Sequence, residues 1–391
     1  MVDKHNHTGG RRLSRRRVVA LAGTGLIGSI AGCSSGGGSD PATTTTESTP
    51  TMTESTPTPT TAKPTTTMSA AERLERYGCP TPEEVDITVA KDGSGDYEKV
   101  QNAIDSIPAG VPSDPSGSTV LIKPGTYKER LTLPTNKIDV TFVGQDVQNT
   151  ILTFDNYNGK TYKGEELGTS GSASFFINGQ DFTALNLTFR NTSGQISQAV
   201  AARTDADRVA FKNCRFIGGQ DTLYTYKRGA RTWFKDCYIE GDTDFIFGRS
   251  SGLFENCEIR SIGQGYIAAP AQPEDSEFGY VFKDCTLSKT DDTSSSSVYL
   301  GRPWEPYGQT VYMNTLMDDH IRPIGWNPWD EEVHDDKTKT AYFAEYENTG
   351  PGYKPDRRAD WSHILSDSEA EEYTRDNVLG DWDPMACEAF Q

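Results

Sequence analysis

Two aspartates occupy the same place in successive copies of a short repeat. Asp221 lies seven residues after Cys214, and Asp244 lies seven residues after Cys237. Both cysteines follow the pattern Phe-Lys-Asn/Asp, so we expect the two carboxyl groups to stack on neighbouring strands. Two carboxyl groups held close together cannot both ionise cheaply, and one keeps its proton longer. That division suits a nucleophile beside a general acid.

Two glutamines share a second place in the repeat. Gln220 lies six residues after Cys214, and Gln198 lies six residues after Thr192, if 189–194 is a further copy with Thr192 in the cysteine place. Side-chain amides beside a reacting carbonyl can donate hydrogen bonds to an oxyanion. The four polar residues therefore fit acyl transfer without histidine or metal. A structural ladder of hydrogen bonds is the alternative, and spacing alone does not choose between them.

The repeat also predicts the elements that position these side chains. Its copies are FKNCRF at 211–216, FKDCYI at 234–239, FENCEI at 254–259 and FKDCTL at 282–287. A period of 20–30 residues indicates a solenoid, and alternating apolar residues indicate strands. We predict an all-β parallel β-helix whose cysteines stack inside as reduced thiols. Disulfides or a zinc site are alternatives, but no CxxC pair is present.

Residues 1–33 predict an export signal. Several arginines precede an apolar stretch, 18–31, that is too short to span a membrane. Residues 14–19 resemble a twin-arginine signal, and Ile30-Ala31-Gly32-Cys33 resembles a lipobox. We therefore predict an extracellular lipoprotein anchored by lipid at Cys33 to the outer face of the cytoplasmic membrane. An ordinary secretory signal with an incidental cysteine is the alternative.

The rest of the chain divides by composition. Residues 34–78 are rich in Thr, Pro and Ser and offer no apolar face, which predicts a disordered tether. Residues 79–391 are long enough for one large core and are predicted to form the β-helix domain. Cys79 and Cys387 bracket that domain and could pair, which the sequence does not decide.

Charge and histidine content narrow the possible functions. The net charge of −18 argues against a nucleic-acid partner. Together with the export signal and the Thr-rich stalk, this acidity resembles exported proteins of halophilic archaea. Only His320, His334 and His363 lie outside the predicted signal, so few groups remain for a histidine-dependent metal site or triad. We predict no metal and no cofactor.

Five ordered motifs resemble those of the pectin methylesterase (pectinesterase) family. They are GTYKE (125–129), QAVA (198–201), GQDTLY (219–224), DFIFG (244–248) and LGRPW (300–304). The resemblance extends over nearly all of residues 87–352. It implies a single-stranded right-handed parallel β-helix, a pectin lyase-like solenoid, which hydrolyses the methyl esters of polygalacturonate in pectin to pectate and methanol. The expected partner is pectin, and the protein is expected to be a monomer.

The same resemblance implies a role for each polar residue of the repeat. Asp244 would be the nucleophile that forms an acyl-enzyme, and Asp221 the general acid for methanol and then the base for water. Gln220 would donate to the oxyanion, and Gln198 would line the same site. Arg302 would orient Asp244, and its fixed charge would favour the ionised carboxylate.

The resemblance also implies substrate-binding rings. Trp304, Tyr224 and Phe247 would stack on sugars, although Trp304 and Phe247 could instead be core residues. The family usually has an aromatic residue where this chain has Gly219, so one ring of the cleft is missing.

Two charged residues depart from the family pattern. Asp242 adds a third carboxylate near the predicted site. Arg249 stands where a small or polar residue is common, and it could meet a substrate carboxylate. Three other functions stay open at this point. They are a fold relative that acts on another ester or thioester, a non-catalytic polysaccharide-binding β-helix, and a β-helical pectate lyase.

Overall fold

The computed structural model describes residues 85–111, 117–329 and 336–384. The predicted signal with Cys33, the predicted tether, and both Cys79 and Cys387 lie outside the described residues. No helix within the described ranges is long and apolar enough to cross a membrane.

The described strands, numbered in chain order, form three parallel faces that the chain visits in a fixed order, one rung after another. The first face contains β1 (Ile87–Val89), β2 (Ser118–Ile122), β5 (Val140–Gly144), β10 (Phe182–Leu185), β13 (Val209–Lys212), β16 (Arg231–Lys235), β18 (Ser251–Glu255), β20 (Tyr280–Lys283), β23 (Gln309–Met313), β25 (Tyr342–Tyr346) and β26 (His363–Ile364). The second contains β3 (Gly125–Lys128), β6 (Thr150–Phe154), β11 (Thr188–Asn191), β14 (Arg215–Ile217), β21 (Thr286–Lys289) and β24 (Leu316–Met317). The third contains β4 (Leu131–Leu133), β9 (Phe175–Ile177), β12 (Ala202–Thr204), β15 (Leu223–Thr225) and β22 (Val298–Gly301).

Two long strands run through both the second and third faces. They are β17 (Tyr238–Gly248) and β19 (Glu258–Pro270). Because parallel crossovers are right-handed, repeating the three faces gives a right-handed parallel β-helix, as predicted. A small antiparallel pair, β7 (Thr161–Tyr162) and β8 (Glu165–Glu166), projects from one rung.

Short helices pack against the first rungs and, from the C-terminal part of the chain, against the outer side of the first face, where the last of them contacts β18. They are α1 (Val100–Ser106), α2 (Asp367–Ala370) and α3 (Arg375–Leu379), with 3₁₀ turns at Thr169–Gly171, Lys337–Lys339 and Pro355–Arg357. Helix α1 buries Val100, Ala103 and Ile104 against the first rungs. This i, i+3, i+4 spacing is the apolar stripe of a short amphipathic helix, and it covers apolar side chains that the first rung would expose.

The core contains stacks of identical side chains on successive rungs. Phe234 pairs with Phe254 and Phe254 with Phe282, and each of these ring pairs stacks with centroids 4.5 Å apart. This distance matches the spacing of about 4.8 Å between adjacent strands. The Phe of the sequence repeat therefore points inward, where stacking satisfies both burial and ring geometry.

The Asn or Asp of the repeat forms the turn between the first two faces. Asn213 and Asn256 have φ of 50° and 53°, a left-handed conformation that Asn and Asp adopt more readily than most residues. The Asn213 side-chain amide donates to Asn186 Oδ1 at 2.7 Å on the preceding rung. This ladder explains why the residue before each cysteine is Asn or Asp.

The predicted cysteine ladder is confirmed. Cys214, Cys237, Cys257 and Cys285 are buried and free. Each thiol donates to a backbone carbonyl, as Cys257 does to Phe234 O at 3.5 Å. The disulfide alternative is thereby excluded for these four residues.

The prediction that Thr192 takes the cysteine place in a further copy is wrong. Phe189 pairs with Phe216 on the second face, whereas the repeat Phe belongs to the first face. Continuing the register of β10 on β13 puts Leu187 beside Cys214. The segment 189–194 resembles the repeat by composition alone, because the left-handed turn comes three residues before it.

Candidate active site

Asp221 and Asp244 lie beside each other on the third face. The register of β15 on β17 pairs Leu223 with Ile246. The same offset, continued two residues back along each strand, places Asp221 beside Asp244. The Asp221 N–H donates to Thr243 O at 3.0 Å, which holds this register. The shared phase predicted from the repeat is confirmed.

A local irregularity in β17 presents the Asp244 carboxylate. The pairing of β17 with β19 shifts register on both sides of Thr243, and such bulges re-aim side chains. Asp221 and Asp244 themselves have φ of 66° and 50°. At Gly241 an added Cβ would lie 2.2 Å from Phe245 Cβ, so only glycine allows the bulge to pack this closely.

Arg302 holds Asp244 through a two-pronged ion pair. Arg302 follows β22, and its Nε and Nη2 donate to Asp244 Oδ1 and Oδ2 at 2.9 Å and 2.7 Å. Such forked pairs are shorter and stronger than single hydrogen bonds. The guanidinium lies between two rings, with centroids 3.8 Å away at Tyr266 and 3.9 Å away at Trp329. These rings fix the arginine, and the carboxylate with it.

The two carboxyl groups differ in their electrostatic surroundings. Burial raises the pKa of Asp221 well above its ordinary value, and the charge on Asp244 raises it further. Burial also raises the pKa of Asp244, but the hydrogen bonds and charge of Arg302 oppose this shift. Asp221 is therefore suited to carry a proton while Asp244 is ionised. This is the division expected for an acid beside a nucleophile.

Gln198 and Gln220 lie in the same cleft as the aspartates. The Ala199 N–H donates to Gln220 O at 3.1 Å, so the two glutamines are on adjacent rungs. Gln198 Oε1 accepts from Asn158 Nδ2 at 2.7 Å and from Ser197 Oγ at 3.1 Å. Since its oxygen is occupied, the Gln198 NH₂ group is the part available to a ligand. The glutamines are neighbours even though the copy of the repeat used to predict this was misplaced.

The cleft has a volume of about 640 Å³ and an aromatic wall. Tyr224 and Phe247 stack with ring centroids 4.0 Å apart and are 2% and 4% exposed. Both also pack in a buried cluster with Phe176 and Val200. Trp304 is only half-buried, with its ring 5.9 Å from that of Phe247. Trp304 is therefore the most accessible of the three predicted sugar-stacking rings, and Phe247 belongs to core and cleft at once.

Polar side chains occupy the space beside Gly219. Gln195 Nε2 donates to Asp242 Oδ2 at 2.7 Å. A Cβ at residue 219 would lie 3.3 Å from both Asp242 Oδ2 and Gln195 Cγ. An aromatic residue at this position would therefore displace the Gln195–Asp242 pair.

Sequence reasoning missed four residues that support the site. Tyr266 and Trp329 sandwich Arg302, and Asn158 and Ser197 orient Gln198. Trp329 ends the segment GWNPW (325–329), which lies within the range 87–352 covered by the family resemblance. The other three carry no local pattern that distinguishes them from surface residues.

Comparisons with known proteins agree with this geometry. The pectinesterase family profile matches residues 86–381. Pectinesterase 31 of Arabidopsis thaliana is 42% identical over 291 residues, which cover 73% of this chain and 89% of that protein. Probable pectinesterase/pectinesterase inhibitor 21 of Arabidopsis thaliana is 36% identical over 315 residues, and the chain spans only 45% of its length.

Solved structures give the same result. A pectin methylesterase from carrot matches with a TM-score of 0.72 and 30% identity, over 80% of this chain and 98% of that one. Pectin methylesterase PemA from Erwinia chrysanthemi matches with a TM-score of 0.66 and 31% identity, over 77% and 98%. The repeat, the fold and the paired aspartates agree with these matches, and this chain belongs to the pectinesterase family.

Proposed function

We propose that this chain hydrolyses the methyl esters of polygalacturonate in pectin, releasing methanol and leaving pectate. The observation that carries the proposal is Asp244, fixed and charge-paired by Arg302, beside Asp221, whose raised pKa favours its protonated form. A pectin methylesterase in complex with a hexasaccharide, 32% identical to this chain with a TM-score of 0.66, supports a sugar polymer as the substrate.

The first half of the reaction uses the asymmetry of the two aspartates. An Asp244 carboxylate oxygen attacks the ester carbonyl carbon, and negative charge develops on the carbonyl oxygen. The side-chain amides of Gln220 and Gln198 donate hydrogen bonds to that oxygen. As the C–O bond to the methoxy group breaks, Asp221 gives its proton to the departing oxygen. The products are methanol and an anhydride between Asp244 and the galacturonate carboxyl group.

The second half reverses the role of Asp221. Now ionised, Asp221 takes a proton from a water molecule as the water oxygen attacks the galacturonyl carbonyl carbon. The anhydride bond to Asp244 breaks and restores its carboxylate. Asp221 regains its proton, so the overall reaction consumes one water per ester.

Arg302 acts through Asp244 and does not itself carry a proton. Its fork fixes which carboxylate oxygens face the cleft, and its charge favours ionised Asp244. Stacking on Tyr266 and Trp329 limits the movement of Arg302 between the two half-reactions. The site thus begins each turnover with the nucleophile oriented.

The aromatic wall supplies the sugar contacts. Trp304 offers its half-buried ring for stacking on a pyranose face, and Tyr224 and Phe247 form the apolar floor beneath it. A second candidate function is hydrolysis of another ester by the same two aspartates. It is favoured by one observation, the Gln195–Asp242 pair that stands beside Gly219.

Methanol release tests the proposed function. The full chain should release methanol and new carboxyl groups in equal amounts from methylated pectin, while Asp244→Asn provides the blank. Turnover of small aryl or thioesters with none of pectin would favour the second candidate. Absorbance from unsaturated sugar ends would indicate a lyase, and pectin binding without methanol would leave only a binding role.

We further propose an exported, lipid-anchored and salt-adapted monomer. The support is the arginine-rich start, the lipobox-like sequence ending at Cys33, the tether over 34–78 and the net charge of −18. The β-helix domain would then span 79–391. Cys33→Ser should release the protein from membranes into the medium. Activity should rise towards molar salt, where repulsion between the acidic protein and pectate is screened; higher activity in dilute buffer would contradict the salt adaptation.

A further inference from the structure

The charges that line the cleft are unevenly balanced. Asp244 is paired with Arg302, and Asp205 Oδ2 is paired with Arg203 Nη2 at 3.0 Å. Burial raises the pKa of Asp221, which favours its neutral form. Among the described residues that line the cleft, the other charged side chains are all basic: Lys227, Arg228 and Arg249. A chain of net charge −18 thus presents surplus positive charge at one part of its cleft.

Arg249 is held in place mainly by uncharged partners. Its Nη1 donates to Tyr224 Oη at 3.2 Å, and its guanidinium carbon lies 4.6 Å from the Trp304 ring centroid. Its carboxylate partner is Glu305, whose Oε1 is 3.9 Å from Nη2 and whose side chain is 46% exposed. This distance is too long for a hydrogen bond, and exposed pairs contribute little. The outward N–H groups of Arg249 are therefore available to a stronger acceptor.

The position of Arg249 separates it from the reacting ester. It follows Gly248, the last residue of β17, and lies five residues after Asp244. At about 3.3 Å per residue, the two Cα atoms are at most about 16 Å apart along the chain. A ligand group on Arg249 would then belong to a different sugar of the same polymer. Lys227 and Arg228 follow β15 on the adjacent rung and are exposed.

We propose that Arg249, with Lys227 and Arg228, forms a subsite for the free carboxylate of a galacturonate that has already lost its methyl ester. This subsite rests on the proposed function, and it specifies which form of pectin the cleft prefers. A guanidinium binds a carboxylate through charge-assisted hydrogen bonds, whereas a methyl ester has no charge to offer. The cleft therefore prefers partly de-esterified chains and places the next ester near a product of earlier turnover.

Binding of two matched ligands tests the subsite directly. Hexagalacturonate and its fully methylated ester are titrated by calorimetry into the full chain carrying Asp244→Asn, which prevents turnover. Molar potassium chloride shortens the Debye length to about 3 Å and leaves mainly direct contacts. Arg249→Gln should weaken the binding of hexagalacturonate about 10-fold or more. It should weaken the binding of the methylated ester much less. The double change of Lys227 and Arg228 to Gln should act in the same direction.

Two control variants sharpen the result. Arg215 has a similar environment outside the cleft, with its guanidinium carbon 4.8 Å from the Tyr238 ring centroid and a hydrogen bond to Gln148. Arg215→Gln should leave both affinities unchanged. Glu305→Gln should tighten hexagalacturonate, because it removes the carboxylate that competes for Arg249. Thermal unfolding confirms that each variant is folded.

The outcomes separate this inference from the proposed function. Equal affinities of Arg249→Gln and its parent for hexagalacturonate, or equal losses for both ligands, would overturn the subsite even if methanol is released. Selective loss of hexagalacturonate binding would support it, because that measurement requires no turnover. Such a loss in a chain that releases no methanol would leave the carboxylate subsite standing and refute the esterase.

Discussion

Two stacks of titratable side chains run along neighbouring rungs of this β-helix. Four cysteines stack inside it, and two aspartates stack where the third face borders the cleft. Burial raises the pKa of the Cys257 and Cys285 thiols well above their ordinary value, so these groups stay neutral. Burial raises the pKa of both aspartates too, but only Asp244 also receives the hydrogen bonds of Arg302, which oppose that shift.

The comparison shows what makes a stack reactive. Repetition of the rung places like groups side by side and treats them alike, as it does the thiols. Arg302, which is 58 residues from Asp244 in sequence, breaks that equivalence by pairing with one aspartate. The proposed chemistry therefore depends on Arg302, which is not part of the repeat but contacts one of the two aspartates that the repeat places together.

Removing the nucleophile should have the largest effect. Asp244→Asn should lower kcat about 10⁴-fold or more, the scale found when a nucleophile is lost. Asn tolerates the left-handed backbone at this position, so the fold should persist. Methanol release measures the loss. Asp181→Asn is a matched control, because Asp181 also has a positive φ of 58° and a forked pair with Arg208; a comparable loss there would refute the role of Asp244.

Removing the acid should cost less in rate. Asp221→Asn should lower kcat about 10²- to 10⁴-fold, the range typical of general acid–base catalysis. Substrates with a more acidic alcohol should be affected less, because their leaving group needs no proton. Equal losses for methyl and activated esters would count against Asp221 as the acid.

The same variant should change how stability depends on pH. Because the pKa of Asp221 is raised on folding, its contribution to stability is full below the unfolded pKa of about 3.9. That contribution is lost as pH rises towards the folded pKa. The melting temperature of Asp221→Asn relative to the parent should therefore increase as pH rises from 4. A constant difference would show that folding does not shift this pKa.

Changing Arg302 should separate charge from orientation. Arg302→Gln should lower kcat/KM about 10²-fold and move the acid limb of the pH profile upwards, because Asp244 loses the charge that opposes its raised pKa. Arg302→Lys keeps a charge but no fork, so it should lower kcat with a smaller shift of that limb. An unmoved limb in the Gln variant would contradict charge pairing as the role of Arg302.

Changes in the cysteine stack should affect stability alone. Cys257→Ala should cost about 1–2 kcal/mol of unfolding free energy, since the site is fully packed. Its kcat should equal that of the parent. Denaturant titration and methanol release measure the two quantities on one sample. A large change in kcat would show that the interior is coupled to the cleft.

The sequence predicted the fold through its repeat. The period of the Phe-x-Asn/Asp-Cys pattern indicated strands, and its Phe and Cys positions are buried as expected. It also predicted that Asp221 and Asp244 share a phase. It failed at Thr192, because the residue that makes the turn, Asn186, lies outside the matching letters. The roles of Arg302 and of the aromatic residues came from family resemblance, since spacing alone does not place them.

The sequence by itself determined which residues stack, because neighbours on adjacent rungs are set by a repeat length that can be counted. Only the tertiary structure decided which of the stacked groups differ from one another. The fork of Arg302 on Asp244, its cradle of Tyr266 and Trp329, and the available guanidinium of Arg249 all depend on segments of unequal length that meet over the third face. These contacts follow from how the loops pack in three dimensions, and no periodicity in the sequence predicts them.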